Sequence, residues 1–116
     1  MLFVCYPKCT TCRDAKKWLG EHHLDPQVRD IKTENPSSTE LKMWHELSGL
    51  PIKKFYNTSG NSYRELGLKE KFDAMSLQEH YDLLATDGML VKRPIVVKGD
   101  TVVVGFKAVD WEAKLL

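Results

Sequence analysis

The chain opens on a short apolar run, Leu2-Phe-Val-Cys5, which Pro7-Lys8 interrupts, and this pattern predicts a strand. Apolar positions then recur at helical spacing. Ala15, Trp18 and Leu19 predict the buried side of a helix that begins near Thr10 and ends at Gly20 and the His22-His23 pair. Val28-Arg-Asp-Ile31 reads as a second short strand. Strand, helix and strand in that order make a parallel βαβ unit, with the crossover expected to be right-handed.

Glu34-Asn-Pro-Ser-Ser-Thr39 reads as a turn that starts another helix, with Ser37 or Ser38 as its cap. Leu41, Trp44, Leu47 and Ser48 form its expected inner face, and Gly49-Leu50-Pro51 closes it. From Ile52 to Thr86 the pattern stays helical in short pieces, broken at Asn57-Thr-Ser-Gly-Asn61. Tyr63, Leu66 and Leu68 mark one piece; Leu77, His80, Tyr81, Leu83 and Leu84 mark a longer one. Ile95-Val-Val97 and Thr101-Val-Val-Val104, joined by Lys98-Gly-Asp100, predict a hairpin. Residues 108–116 predict a last amphipathic helix, with Val109, Ala113 and Leu116 in register. No repeat, low-complexity tract or linker interrupts the chain. The expected architecture is α/β: a four-stranded mixed sheet, βαβ then ββα, with a helical insertion over about residues 34–90 of a single domain 1–116.

Composition narrows the class without naming a function. A chain of 116 residues suffices for one domain with one core. Its 42% hydrophobic and 28% charged residues are ordinary for a soluble globular protein. A formal net charge of +1 gives no reason to expect nucleic-acid or membrane binding. The N-terminal apolar run is too short for a signal peptide, and nothing approaches the ~20 apolar residues of a membrane span. The expected setting is the cytoplasm, where three cysteines make a poor disulfide framework.

Cys9-Thr-Thr-Cys12 carries the chemistry. It lies at the junction of the first strand and first helix, and two thiols three residues apart there suit dithiol redox work. Free N–H groups of the first turn and the helix dipole would stabilise a thiolate at Cys9. Lys8 and Arg13 add positive charge nearby. Cys12, one turn in, could attack a mixed disulfide at Cys9. The alternative is half of a zinc site, but zinc needs four ligands, and Cys5 with four scattered histidines supplies no second pair. Cys5 reads as a small buried hydrophobe, His22 and His23 as helix C-terminal cations, and His45 and His80 as surface or packing residues. Trp18 and Trp44 read as core. A CxxC at the end of the first strand makes a thioredoxin-like fold the leading candidate.

Four blocks then carry a resemblance. Tyr6-Pro-Lys-Cys-Thr-Thr-Cys-Arg-Asp-Ala-Lys-Lys-Trp-Leu19, Tyr63-Arg-Glu-Leu-Gly-Leu68, Asp87-Gly-Met-Leu-Val-Lys-Arg-Pro-Ile-Val-Val97 and Val104-Gly-Phe-Lys107 together resemble the arsenate reductase/Spx family. The resemblance implies a thioredoxin-type core with a helical insertion, Arg93 beside Cys9, and a cis peptide bond at Pro94 facing the CxxC. The family's glutaredoxin-linked reductases grip arsenate with three arginines and attack with one cysteine. Cys9 falls on the nucleophile and Arg93 on one arginine, but the other two fall near Asn57 and Gly105. Neither offers a guanidinium, which argues against arsenate as the substrate. Spx-type regulators carry a CxxC followed by Arg, as Cys9 to Arg13 does here, and bind the C-terminal domain of the RNA polymerase α subunit. Two expectations result. One is a thiol–disulfide oxidoreductase acting on a small-molecule or protein disulfide: Cys9 attacks, Cys12 resolves, and Arg93 with Arg13 activates or binds an anion. It needs no metal or organic cofactor, and glutathione, glutaredoxin or thioredoxin supplies electrons. The other is a redox-gated regulator whose partner is RNA polymerase.

Overall fold

One mixed sheet organises the chain in a computed structural model that describes residues 1–116. Strand β1 (Leu2–Cys5) leads into helix α1 (Thr10–Glu21) and strand β2 (Gln27–Asp30). Four helices follow: α2 (Ser38–Ser48), α3 (Asn61–Glu65), α4 (Leu68–Lys71) and α5 (Leu77–Leu84), with 3₁₀ turns at Ile52–Phe55, Phe72–Ala74 and Gly88–Leu90. Strands β3 (Ile95–Lys98) and β4 (Thr101–Val104) and helix α6 (Ala108–Leu115) complete the fold. The strand order is β2-β1-β3-β4. β1 runs parallel to β2 and antiparallel to β3, which is antiparallel to β4. The expected four-stranded sheet, βαβ then ββα, is therefore the observed one, in a thioredoxin-like arrangement. No helix is long and apolar enough to cross a membrane.

Both faces of the sheet are covered, which explains why β1 reads as a continuous apolar run rather than an alternation. Successive side chains still point to opposite faces. Phe3, Cys5, Val96 and Val103 pack against α1 and α6, through Cys12, Ala15, Leu19, Trp111 and Leu115. Val4, Ile95 and Val102 pack on the other side against Leu41, Trp44, Tyr81 and Leu84 of the inserted helices. Cys5 thus lies on the α1 side, buried as expected. β2 begins one residue earlier than the apolar pattern suggests, and Ile31, just past its end, is fully buried.

Several expected inner positions lie outside. Leu47, Leu66 and Leu77 are exposed. Gly67, left-handed at φ 62°, separates α3 from α4 and carries Leu66 off the face shared by Tyr63 and Leu68. In α6 the inner face is Trp111 and Leu115, while Val109 is 77% exposed and Ala113 and Leu116 face solvent. Trp111 sets that register by packing edge-on to Trp18 and Phe106 and donating from Nε1 to the Gly105 carbonyl at 3.0 Å. Of the surface and packing readings of His80, the packing one holds, at 2% exposure.

α2 starts as the sequence signals, with Ser37 as cap in a reciprocal box with Glu40. Arg29 on β2 grips the same Glu40 carboxylate bidentately, at 2.6 and 2.9 Å, and also donates to the Glu34 carbonyl at 2.8 Å. This pins the start of the inserted helices to the sheet. The guanidinium holds the Glu40 carboxyl down at about 2, against 4.5 ordinarily. A carboxyl depressed by folding stabilises fully above its ordinary value and loses that contribution as pH falls toward the depressed one. Glu40→Gln should therefore cost about 1–2 kcal/mol at pH 7. In urea titrations the gap to the parent should narrow as pH drops from 4.5 toward 2. A gap independent of pH would refute the ion pair as its source.

A candidate thiol site at the start of α1

Cys9 is the N-cap of α1, with φ −86° and ψ 124°. Its N–H donates to the Tyr6 carbonyl at 2.9 Å, closing the turn through Pro7 and Lys8, and its carbonyl accepts from Arg13 N–H at 3.1 Å. The Cys9 side chain makes no capping hydrogen bond. Cys9 is partly exposed, whereas Cys12 is 2% exposed on the inward side of the helix. The Tyr6 N–H donates to Cys12 Sγ at 3.3 Å. Cys12 also neighbours the sulfurs of both Cys5 and Cys9, and all three are free thiols. Hydrogen bonding with Cys5, and then burial, push the Cys12 thiol well above the ordinary range against the opposing Tyr6 N–H.

Cys9 opens on a polar cavity of about 620 Å³, which Thr11, Asn57, Asn61, Lys92 and Arg93 also line. Ser59 and Ser62 add hydroxyls, and Met89 is one of only two apolar lining residues. Another depression, of about 300 Å³ around Met43 and Leu47 on α2, holds no nucleophile. The Arg93-Pro94 peptide bond is cis, and Pro94 is buried. The Arg93 guanidinium lies 5.5 Å from the Tyr6 ring centroid, a cation–π contact. Its Nη1 reaches only long contacts to the Met89 and Val91 carbonyls, at 3.4 and 3.5 Å. Its buried Nε has no partner. Arg13 does not line the cavity: its Nε donates to the Pro7 carbonyl at 3.3 Å in an exposed position.

Cys9, Arg93 and Asn57 thus share one cavity, with Cys12 beneath. Lys92 and the Asn61–Ser62 pair also line the cavity, and no motif in the sequence marks them for it. Lys92 stood in view directly before Arg93, but adjacency does not reveal which face a side chain takes. A Cβ at Gly105 would lie 3.5 Å from Lys92 Cε, in ordinary contact with it, so Lys92 neighbours the position where the family's third arginine would fall.

Asn57 is placed by a backbone zipper: its N–H donates to the Leu90 carbonyl at 2.9 Å and the Lys92 N–H to the Phe55 carbonyl at 2.8 Å. Tyr56, between them, bridges Val91. Its hydroxyl bonds His80 Nδ1 at 2.8 Å, and His80 Nε2 meets the Phe72 carbonyl at 3.2 Å. A carbonyl only accepts, so Nε2 carries the proton and Tyr56 donates to Nδ1. Burial lowers the pKa of His80 and keeps it neutral. Tyr56→Phe leaves Nδ1 buried without a donor and should cost about 1–3 kcal/mol by urea denaturation. A change within about 0.5 kcal/mol would show the bond to be dispensable. For the parent, the unfolded chain binds the proton first as pH falls. The His80 contribution is therefore complete above its ordinary 6.5 and declines below it.

The chain matches the ArsC family over residues 5–114. It is 54% identical over 112 residues to YusI of Bacillus subtilis, an uncharacterised protein, covering 97% of this chain and 95% of that one. The regulatory protein MgsR of the same bacterium is 31% identical over 106 residues, covering 91% and 82% of the two chains. The crystal structure of a possible arsenate reductase from Streptococcus mutans superposes with a TM-score of 0.88 at 47% identity, covering 96% of each chain. With the family matched over nearly its whole length and relatives of this similarity, the chain belongs to the ArsC family.

Proposed function

We propose that the chain is a cytoplasmic thiol–disulfide oxidoreductase in which Cys9 is the nucleophile and Cys12 the resolving thiol. One observation carries this reading: a partly exposed Cys9 faces a polar cavity while Cys12 sits buried directly behind it. Cys9 attacks one sulfur of a substrate disulfide and the other sulfur leaves as a thiolate. Cys12 then loses its proton and displaces the bound half from Cys9, giving a Cys9–Cys12 disulfide. Glutathione, glutaredoxin or thioredoxin returns the two electrons. Arg93, with an unspent N–H and its charge beside the cavity, is the electrostatic partner. Arg13, away from the cavity, has no part in this reading.

Arsenate suits the cavity poorly. Lys92 and Arg93 are its only cationic lining residues, and Lys is a point charge without the planar fork that grips an oxyanion. Two absent arginines, at roughly 1.5–3 kcal/mol per charge-assisted contact, correspond to about 10²-fold weaker oxyanion binding or more.

The similarity to MgsR favours a second reading, a redox-gated regulator whose CxxC switches affinity for the RNA polymerase α C-terminal domain. One experiment separates them. Reduced protein is given a model disulfide, arsenate, and the α C-terminal domain in parallel, with a thiol reductant present or absent. Turnover of the disulfide, with arsenate far slower, supports the oxidoreductase. Redox-dependent capture of the domain without turnover replaces it with the regulator.

A further inference from the structure

The two-thiol cycle leaves Cys5 without a role, yet Cys5 shares a buried cluster with Cys12, and Cys9 packs against its edge. The pleat of β1 turns Cys5 toward α1, and Cys12 is the first inward position of that helix. Cys12 therefore has a sulfur on each side, Cys9 toward the cavity and Cys5 toward the sheet. The three thiols do not form a group that could hold a metal ion. Cys12, the resolving thiol, neighbours both of the others, the adjacency that disulfide exchange needs.

We infer that Cys5 is a third redox thiol, which takes over the Cys9–Cys12 disulfide by exchange and leaves a Cys5–Cys12 disulfide beneath a free Cys9. The inference rests on the proposed Cys9–Cys12 cycle. In the step, Cys5 gives up its proton and attacks Cys12 Sγ. The Cys9–Cys12 bond breaks, and Cys9 leaves as a thiolate that takes up a proton. One thiol and one disulfide enter and one of each emerges, so no external oxidant or reductant is needed. In the reduced protein the Cys12 thiol, and then Lys16, draw Cys5 below the ordinary thiol range against burial and Asp30. Once Cys12 is oxidised its hydrogen bond to Cys5 is lost and burial outweighs Lys16, so Cys5 then gives up a less acidic proton and the exchange should quicken as pH rises. The consequence of the exchange is a stored oxidising equivalent. Cys5 and Cys12 are 5% and 2% exposed, so the new disulfide is shielded from reductant while the exposed thiol can react again.

The sequence makes the test direct. Trypsin cuts after Lys8 and Arg13, placing Cys5 in residues 1–8 and both Cys9 and Cys12 in residues 9–13. The full chain is oxidised with substoichiometric diamide, quenched in acid, alkylated at every free thiol, digested and mapped by mass spectrometry. The expected product is a cross-link between the two peptides with the alkyl label on Cys9, alongside the internally bridged 9–13 peptide. Native labelling of oxidised protein should modify Cys9 in the parent and fail in both Cys5→Ala and Cys5→Ser. A bridged 9–13 peptide without the cross-link overturns the Cys5 role and leaves the dithiol cycle standing. A cross-link with the label on Cys12 also overturns it. No disulfide of either kind defeats both readings.

Discussion

Gly88→Ala should destabilise the fold by about 3 kcal/mol, because a methyl group there has nowhere to go. A Cβ built on Gly88 overlaps the Ile31 carbonyl oxygen and lies 3.1 Å from Asn35 Cβ. The obstacle is backbone, so no rotamer change relieves it. The surrounding segments are tied from both sides. Asn35 Nδ2 donates to the Ala85 carbonyl, Asp87 accepts from the Met89 N–H at 2.9 Å, and Leu90 is fully buried. Overpacking usually costs 1–3 kcal/mol, and a clash with fixed backbone belongs at or beyond the top of that range, about 3 kcal/mol. For a chain of this size that lowers Tm by about 10 °C. The 87–94 segment also carries Met89, Lys92 and Arg93 to the cavity, so surviving folded protein should lose activity too. Gly20→Ala is the control. Nothing lies within 4 Å of its Cβ, it is exposed within α1, and alanine there should add about 0.5–1 kcal/mol. If both variants melt with the parent, the close approach of Gly88 to Ile31 is not present in solution.

The parts of the fold legible in the sequence were those governed by local rules. β1 and α1 are bounded by Pro7 and by the Cys9 cap, and the Ser37–Glu40 box starts α2. Gly99 at φ 59° turns the β3–β4 hairpin at the expected place. The misplaced positions depend on distant partners. Eight residues of α6 are too few for periodicity to choose between faces, and Trp111 wins through Trp18 and Phe106, the former more than ninety positions away in the chain. His80 reads as either a surface or a packing residue, and only the closure of Tyr56 and Phe72 around it selects packing. At the site, spacing revealed the pair of cysteines but not Cys5 as their neighbour, since strand pleat and helix phase meet only in three dimensions. Lys92 was hidden for the same reason: it reaches the cavity because the zipper to Phe55 fixes its backbone.

Cys9→Ser and Cys12→Ser should fail in different ways, and the difference identifies the order of attack. Both thiols lie on one turn of α1, so spacing alone would allow either to react first. Exposure decides between them. Cys9 opens on the cavity, whereas Cys12 is 2% exposed and its thiol is held protonated by its neighbour and by burial. A hydroxyl in place of Cys9 cannot open a disulfide under these conditions, and the rate should fall by about 10³-fold or more. Cys12→Ser keeps the first step and loses the second. The protein should gain the mass of half a substrate disulfide, mapped to Cys9, and turn over only as fast as external thiol releases it. The raised Cys12 thiol adds a pH signature. Its reactive anion becomes more abundant with each step in pH below its pKa, so the resolving step in the parent should accelerate as pH rises across the neutral range. In Cys12→Ser that acceleration should follow the pKa of the external thiol instead. An adduct trapped on Cys12 in the Cys9→Ser variant, at a rate near the parent's, would reverse the assignment and make the buried thiol the nucleophile.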